Sequence, residues 1–322
     1  TEENTLSLHD ALPISIPRAS KREAALRDHL LAWARARGLE TRVDAAGNLI
    51  LRKPASPGRE NRPGVILQGH LDMVCQKNAS TVHDFRHDPI RPMLQDGWLV
   101  TPDTTLGADN GIGVALALAA LEVPDLAHPP LEVLLTVDEE AGMGGARALA
   151  PGTLSGQYLI NLDTEEWGEF YLGCAGGMDV EATRACTREP PPADHVVWRL
   201  AVSGLRGGHS GIDIHLHRGN AIRLLVESLS MLAREANARL ITLEGGSARN
   251  AIPREAFCVV ALPAAHARGL PAWLEHILAD WKQRLAGIDD GIQLACEPIS
   301  DSASQTLAPR DQAALLDFLQ AA

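Results

Sequence analysis

His70 and Asp72 stand two residues apart in the run Val65–Val74, VILQGHLDMV. In an extended segment residues i and i+2 point to the same side, so an imidazole and a carboxylate face one volume while Leu71 turns away. Three more acidic clusters follow strand-like or turn-like runs: Asp109 in GADNG, Asp138-Glu139-Glu140 behind LEVLLTV, and Asp163 behind YLINL. A lone histidine at a strand end is most often a hydrogen-bonded structural residue, and an acidic pair most often sits in solvent. Repetition changes the balance. Carboxylates close behind runs of Val, Leu and Ile need a cation or a dedicated set of donors, and strand ends are where open α/β sheets bind ligands. Convergence of His70, Asp109, Glu140 and Asp163 would make a metal site.

Two adjacent carboxylates behind one strand need not share a role. Glu140 as ligand and Glu139 as general base is the preferred division: a Zn-like ion lowers the pKa of a water to near neutrality, and a nearby glutamate takes up its proton. Asp109 opens a helical run, where free N–H groups favour the anion, and is suited to bridge two ions about 4 Å apart. Asp72 would orient His70. No GxSxG run offers a rival nucleophile, and GLRGGHSG lacks the spacing of a nucleotide-binding loop. His83 and His87 are four apart, but Pro89 and Pro92 argue for irregular structure and solvated loop residues. Cys75 reads as a small buried thiol.

The elements that must carry these residues follow from periodicity. Helices are expected over 21–37, 109–123 and 143–149, with strands at 48–52, within 65–74, and at 131–137, 158–162 and 169–173. Strands alternating with helices imply an α/β unit with a mostly parallel sheet covered by helices. Beyond the PPPADH boundary the rhythm changes. Strands at 194–204, 239–243, 256–262 and 291–297 with helices at 219–235 and 270–285 give the β-α-β-β-α-β order of a small α+β domain, and another helix begins at Pro309. The domain reading is therefore a leader over 1–17, disordered or non-native, then a first part of a catalytic domain over 18–177 and a second domain over 178–322.

Composition narrows the function classes. A chain of 322 residues with 45% hydrophobic residues can bury two cores. A formal net charge of -12 without a basic stripe argues against nucleic acid. The longest nearly unbroken apolar run, 111–121, is too short to span a bilayer. Five cysteines without a CxxC suit the reducing cytoplasm.

HLDMVCQKN, TTLGADNGIG, VDEEAGMGGA, NLDTEEWGE, GCAGG, GLRGGHSG and GGSARNAIPREA together resemble the aminoacyl-histidine dipeptidases, also called cytosol non-specific dipeptidases. These form a branch of a cocatalytic zinc peptidase family that also contains aminoacylases and carboxypeptidases. The resemblance runs from about Lys21 to the end. It implies His70, Asp109, Glu140 and Asp163 as ligands of two Zn2+ ions, with Co2+ or Mn2+ as possible substitutes. Asp109 would bridge, Glu139 would be the base and Asp72 would support His70. It further implies a lid domain that makes a homodimer, with His209 and Asn250 contacting a small peptide substrate.

Two departures stand out. Ile212 follows GGHSG where the family continues with glycine, and no IHAGLE-like motif supplies a last histidine ligand after Gly204. The expectation is an N-terminal portion of a longer enzyme, with one metal position under-ligated and an apolar edge of the first sheet exposed. The competing readings are an acylase or carboxypeptidase of the same family, and a catalytically impaired chain acting as a dimerisation or interaction module.

Overall fold

The computed structural model describes residues 13–321 apart from 165, 167, 175, 177, 179 and 301–304. The chain divides into two compact units, Thr1–Gly176 and Gly177–Ala322. Of the expected leader, residues 1–12 lie outside the described residues. Pro13–Ser15 forms a 3-10 turn and Ile14 is buried in a cluster with Met73 and Ile90, so this end of the stretch belongs to the fold.

The first unit is built on a five-stranded sheet. Its elements are α1 (Ala24–Ala36), β1 (Glu40–Val43), β2 (Leu49–Lys53), β3 (Val65–His70), a small hairpin of β4 (Met93–Gln95) and β5 (Trp98–Val100), α2 (Ala108–Glu122), β6 (Leu131–Thr136), the short α3 (Gly144–Arg147) and β7 (Tyr158–Asn161). The order is β1-β2-β6-β3-β7. β3 pairs parallel with β6 and β7, whereas β1–β2 and β2–β6 are antiparallel. The sheet is thus mixed rather than mostly parallel. A tight connection over 44–48, where Asp44 Oδ1 accepts the N–H groups of Ala46, Gly47 and Asn48, can join only antiparallel neighbours. β1 is short and largely exposed, so its apolar pattern is too weak to announce it.

Period-two alternation decides the faces. Leu49 and Leu51 of β2 and Leu131, Val133 and Leu135 of β6 bury against Leu26, Leu30 and Ala34 of α1 and Val114, Ala117, Leu118 and Leu121 of α2. Ile50, Ile66 and Leu134 turn to the other face, beneath Leu149 and Leu154. β3 is therefore central, with a neighbour on each side and α2 packed above it. β7 is an outer edge, and its Tyr158, Leu159 and Ile160 are exposed, as are Ile112 and Leu116 of α2. The expected strand at 169–173 does not form; Phe170, Tyr171 and Leu172 have no pairing partner and are exposed.

The second unit contains β8 (Arg188–Glu189), β9 (His195–Ser203), β10 (Gly208–His209), α4 (Ala221–Ala236), β11 (Arg239–Gly245), β12 (Ala251–Ile252), β13 (Ala256–Pro263), α5 (Ala264–Ala267), α6 (Leu270–Arg284), β14 (Gln293–Pro298), β15 (Thr306–Leu307) and α7 (Pro309–Ala321). Its antiparallel sheet has the order β11-β13-β9-β14, with α4 and α6 packed through Leu225, Leu229, Leu274 and Trp281 on Leu200, Val202, Cys258 and Val260. Among the described residues no helix is long and apolar enough to cross a membrane.

Candidate active site

β3 ends at His70, short of Asp72, yet the chain beyond it brings the Asp72 carboxylate beside the imidazole at the end of the strand. Both are buried, with 1% and 0% exposure. His70 Nδ1 lies 3.4 Å from Asp72 Oδ1, and Nε2 lies 3.0 Å from Asp109 Oδ1 and 3.5 Å from Asp163 Oδ1. One ligand atom each of His70, Asp109 and Glu140 fall within 4.8 Å of one another. The four predicted ligands thus come from four segments: the ends of β3, β6 and β7 and the first turn of α2.

Each segment is held there by donors and acceptors aimed at its backbone. Asp72 does more than face His70. Its Oδ1 accepts the N–H of Glu139 and its Oδ2 that of Glu140, each at 3.0 Å, while Ser20 Oγ donates to Oδ2 at 2.7 Å. The buried Glu23 accepts the N–H of Asp138 at 2.9 Å, and Asn48, also buried, accepts that of Val137 and donates to Gly145 O. The turn bearing Glu139 and Glu140 is therefore fixed residue by residue. Asn110 joins the other ends: its Oδ1 accepts the N–H of His70 at 3.2 Å, and its Nδ2 donates to Leu162 O and Asp163 Oδ1 at 2.8 Å. A Cβ at Gly69 would overlap Asn110 Oδ1, which is why a glycine precedes the histidine.

Arg18 is the largest contribution not singled out in the sequence. Fully buried, it donates through Nη1 to Leu71 O and Asp72 O, both at 2.8 Å, and through Nη2 to Gly107 O. One guanidinium thereby ties the end of β3 to the loop that delivers Asp109. Burial pulls its pKa down to about 10, opposed chiefly by the Asp72 carboxylate. Arg18 and Ser20 lie in a stretch with no sustained period, and only the rarity of a buried arginine marks them. Arg18→Met removes the guanidinium donor from the Leu71, Asp72 and Gly107 carbonyls, of which Gly107 O keeps the Gly111 N–H, and is expected to destabilise the first unit by about 2–4 kcal/mol, read as a lowered urea midpoint, with weakened metal uptake.

The electrostatics call for positive charge. Burial alone would deprive His70 of its proton, yet Asp109, Asp163 and Asp72 push its pKa up to about 12. Asp72 is held at about 2 against its burial by His70, Ser20 and the Glu139 N–H. Burial, then Asp109, raises Glu140 to about 7; burial also raises Glu139, which feels the charges of His70, Asp163, Asp72 and Asp109. Glu140 Oε1 is buried without a hydrogen-bond partner, and one imidazole among carboxylates is a donor set that suits a small divalent ion. The residues present fit a metal centre.

His209 and Asn250 belong to the second unit. β10 pairs with β12, so that His209 lies opposite Ala251, and the N–H of Ser210 donates to Asn250 O at 2.7 Å. The two expected substrate contacts are thus neighbours on paired segments. His83 and His87 take no part in the metal cluster; His83 packs edge-on against Phe85 and His87 Nδ1 meets Asp84.

Residues 200–286 match the M20 peptidase dimerisation domain. The chain is 45% identical over 294 residues to the cytosol non-specific dipeptidase of Escherichia coli (strain K12), covering 91% of this chain and 61% of that one. It is similar to the crystal structure of aminoacylhistidine dipeptidase from Vibrio alginolyticus, with a TM-score of 0.54 and 44% identity over 100% of this chain and 66% of that one. The uncharacterized protein YqjE of Bacillus subtilis (strain 168) is 27% identical over 217 residues, 64% of this chain and 50% of YqjE. The chain thus resembles the aminoacyl-histidine dipeptidases and carries a stretch that matches the M20 dimerisation domain, and it spans less than two thirds of the length of these relatives.

Proposed function

We propose that the chain carries the site of a metal-dependent dipeptidase, cleaving the peptide bond of Xaa-His and broader dipeptides. The observation that bears this reading is the meeting of His70, Asp109 and Glu140 around a buried, unpartnered carboxylate oxygen, on a chain 45% identical to a dipeptidase. His70, Asp109, Glu140 and Asp163 would hold two Zn2+ ions, with Asp109 bridging and Co2+ or Mn2+ as substitutes. When bound, the ions supply Lewis acidity, acidifying a water and neutralising charge that develops on the scissile carbonyl.

The chain's own residues do the rest. Glu139, adjacent to the ligand Glu140, takes the proton from the attacking water and returns it to the leaving amine; its raised pKa suits a base working near neutrality. Asp72 holds the peptide groups of both glutamates, so base and ligand keep their separation. His209 and Asn250 would contact the substrate, and the stretch matching the dimerisation domain would form the homodimer. Five free thiols suit the cytoplasm as its compartment.

The test is hydrolysis of L-alanyl-L-histidine by the purified chain loaded with Zn2+, followed by amine release. The reading predicts turnover that is lost on chelation and restored by metal. Cleavage of N-acyl amino acids in preference to dipeptides would move the chain to an acylase reading, and metal uptake without any hydrolysis would leave a binding module.

A further inference from the structure

The segment carrying His209 leaves the main sheet of the second unit after β9 and returns at the start of α4. Gly204 and Gly291 approach so closely that a Cβ on Gly204 would overlap Gly291 O, which seats the root of the loop on the turn containing Asp289. Asp289 is 1% exposed, and each of its oxygens takes one backbone N–H. Oδ1 accepts from Arg206 at 2.7 Å and Oδ2 from Gly219 at 2.6 Å. These are the two ends of the loop, and the bonds are short in the manner of charge-assisted ones. A single carboxylate pins both.

Inside the loop the ring of His209 is oriented in turn. Asp213 Oδ2 accepts the backbone N–H of His209 at 2.9 Å and meets Arg218 Nη1 at 3.2 Å, and that guanidinium donates to Gly207 O at 2.6 Å. The N–H groups of Gly211 and Ile212 both donate to His209 Nδ1, each at 3.1 Å. A ring nitrogen that accepts cannot carry the proton, so the neutral imidazole has its proton on Nε2. The side chain itself is exposed, and it offers an N–H donor to whatever it faces. Such a donor suits a carbonyl or carboxylate oxygen, as in a peptide.

We propose that Asp289 is a positioning residue for His209, clamping both ends of its loop so that the imidazole is presented as an Nε2–H donor to an oxygen of the substrate. This rests on the reading of His209 as a substrate contact. The alternative for Asp289 is a purely structural anchor, which would lower stability when lost and leave the ring unaffected.

The experiment records long-range 1H–15N correlations on the full chain labelled at histidine, with His209 assigned by its disappearance in His209→Gln, alongside steady-state hydrolysis of L-alanyl-L-histidine. Wild type is expected to show His209 as the Nε2–H tautomer. Asp289→Asn, which sets an NH2 against a backbone N–H, is expected to mix the tautomers. It should also lower kcat/KM on the order of tenfold to a hundredfold at unchanged metal content. A wild-type Nδ1–H tautomer overturns the proposal, as does an Asp289→Asn protein with reduced thermal stability but an unaltered His209 signal and unaltered turnover per folded molecule. Should Asp289→Asn not fold, Asp289→Glu takes its place with the same two readings, and the wild-type spectrum still decides the tautomer. If wild type hydrolyses no dipeptide while the tautomer and its loss are seen, the clamp stands and the dipeptidase reading falls.

Discussion

Glu139→Gln is expected to lower kcat for dipeptide hydrolysis by about 10²–10⁴-fold while metal content stays at the wild-type level. The amide is nearly isosteric and its backbone N–H still donates to Asp72 Oδ1, so the turn that carries Glu140 should keep its shape. What disappears is the basicity of a carboxylate that burial raises above its ordinary range. Kinetics and metal analysis on the same preparation separate the outcomes. Parallel loss of metal and activity would make Glu139 a ligand, and full activity would remove it from the mechanism.

The second large effect belongs to Asp109. Its Oδ1 sits 3.0 Å from His70 Nε2, and it joins the group formed with Glu140, so a bridging role asks more of it than of any neighbour. Asp109→Ala is expected to abolish tight metal binding at both positions and to reduce turnover roughly 10³-fold or more, the equivalent of several kcal/mol of lost transition-state stabilisation. His70 would then lack the carboxylate that does most to raise its pKa, though Asp163 and Asp72 remain. Retention of one tight ion in the Asp109→Ala protein would show that Asp109 serves a single position.

How much of this was legible beforehand depends on the range of the signal. His70 and Asp72 are two residues apart on one strand, and period two alone predicts that they face one volume. The carboxylates at 138–140 and 163 could be found because each closes an apolar run, and Asp109 because it opens one. Their supports could not. Arg18 and Ser20 lie far from Asp72 in sequence, and a single arginine or serine in an irregular stretch has no period to betray a buried, long-range contact. Asn110 looks like an ordinary residue of a helix start, yet it binds the His70 N–H and Asp163 together. In the second unit, alternation exposed the order of strands and helices, while the clamp at Asp289 left no trace because it acts on backbone N–H groups. The sheet of the first unit is mixed because β1–β2 and β2–β6 pair antiparallel, and β1 is too short and too exposed to carry an alternating pattern that would announce it.

Whether His70, Asp109, Glu140 and Asp163 form a metal centre is decided by calorimetric titration of the metal-free chain with Zn2+ in two buffers of different ionisation enthalpy. Without metal, His70 keeps its proton up to about pH 12, and Glu140 shares one near pH 7. Metal needs both groups deprotonated, so binding must release protons and affinity must rise with pH. The account predicts one tight ion and a weaker second, since among the described residues the cluster offers a single imidazole. Proton release on filling both positions should fall from near two towards one between roughly pH 6 and 8, as Glu140 loses its proton unaided. His70→Ala should remove the tight ion. Binding no stronger than to His70→Ala, or binding without proton release, would contradict the account.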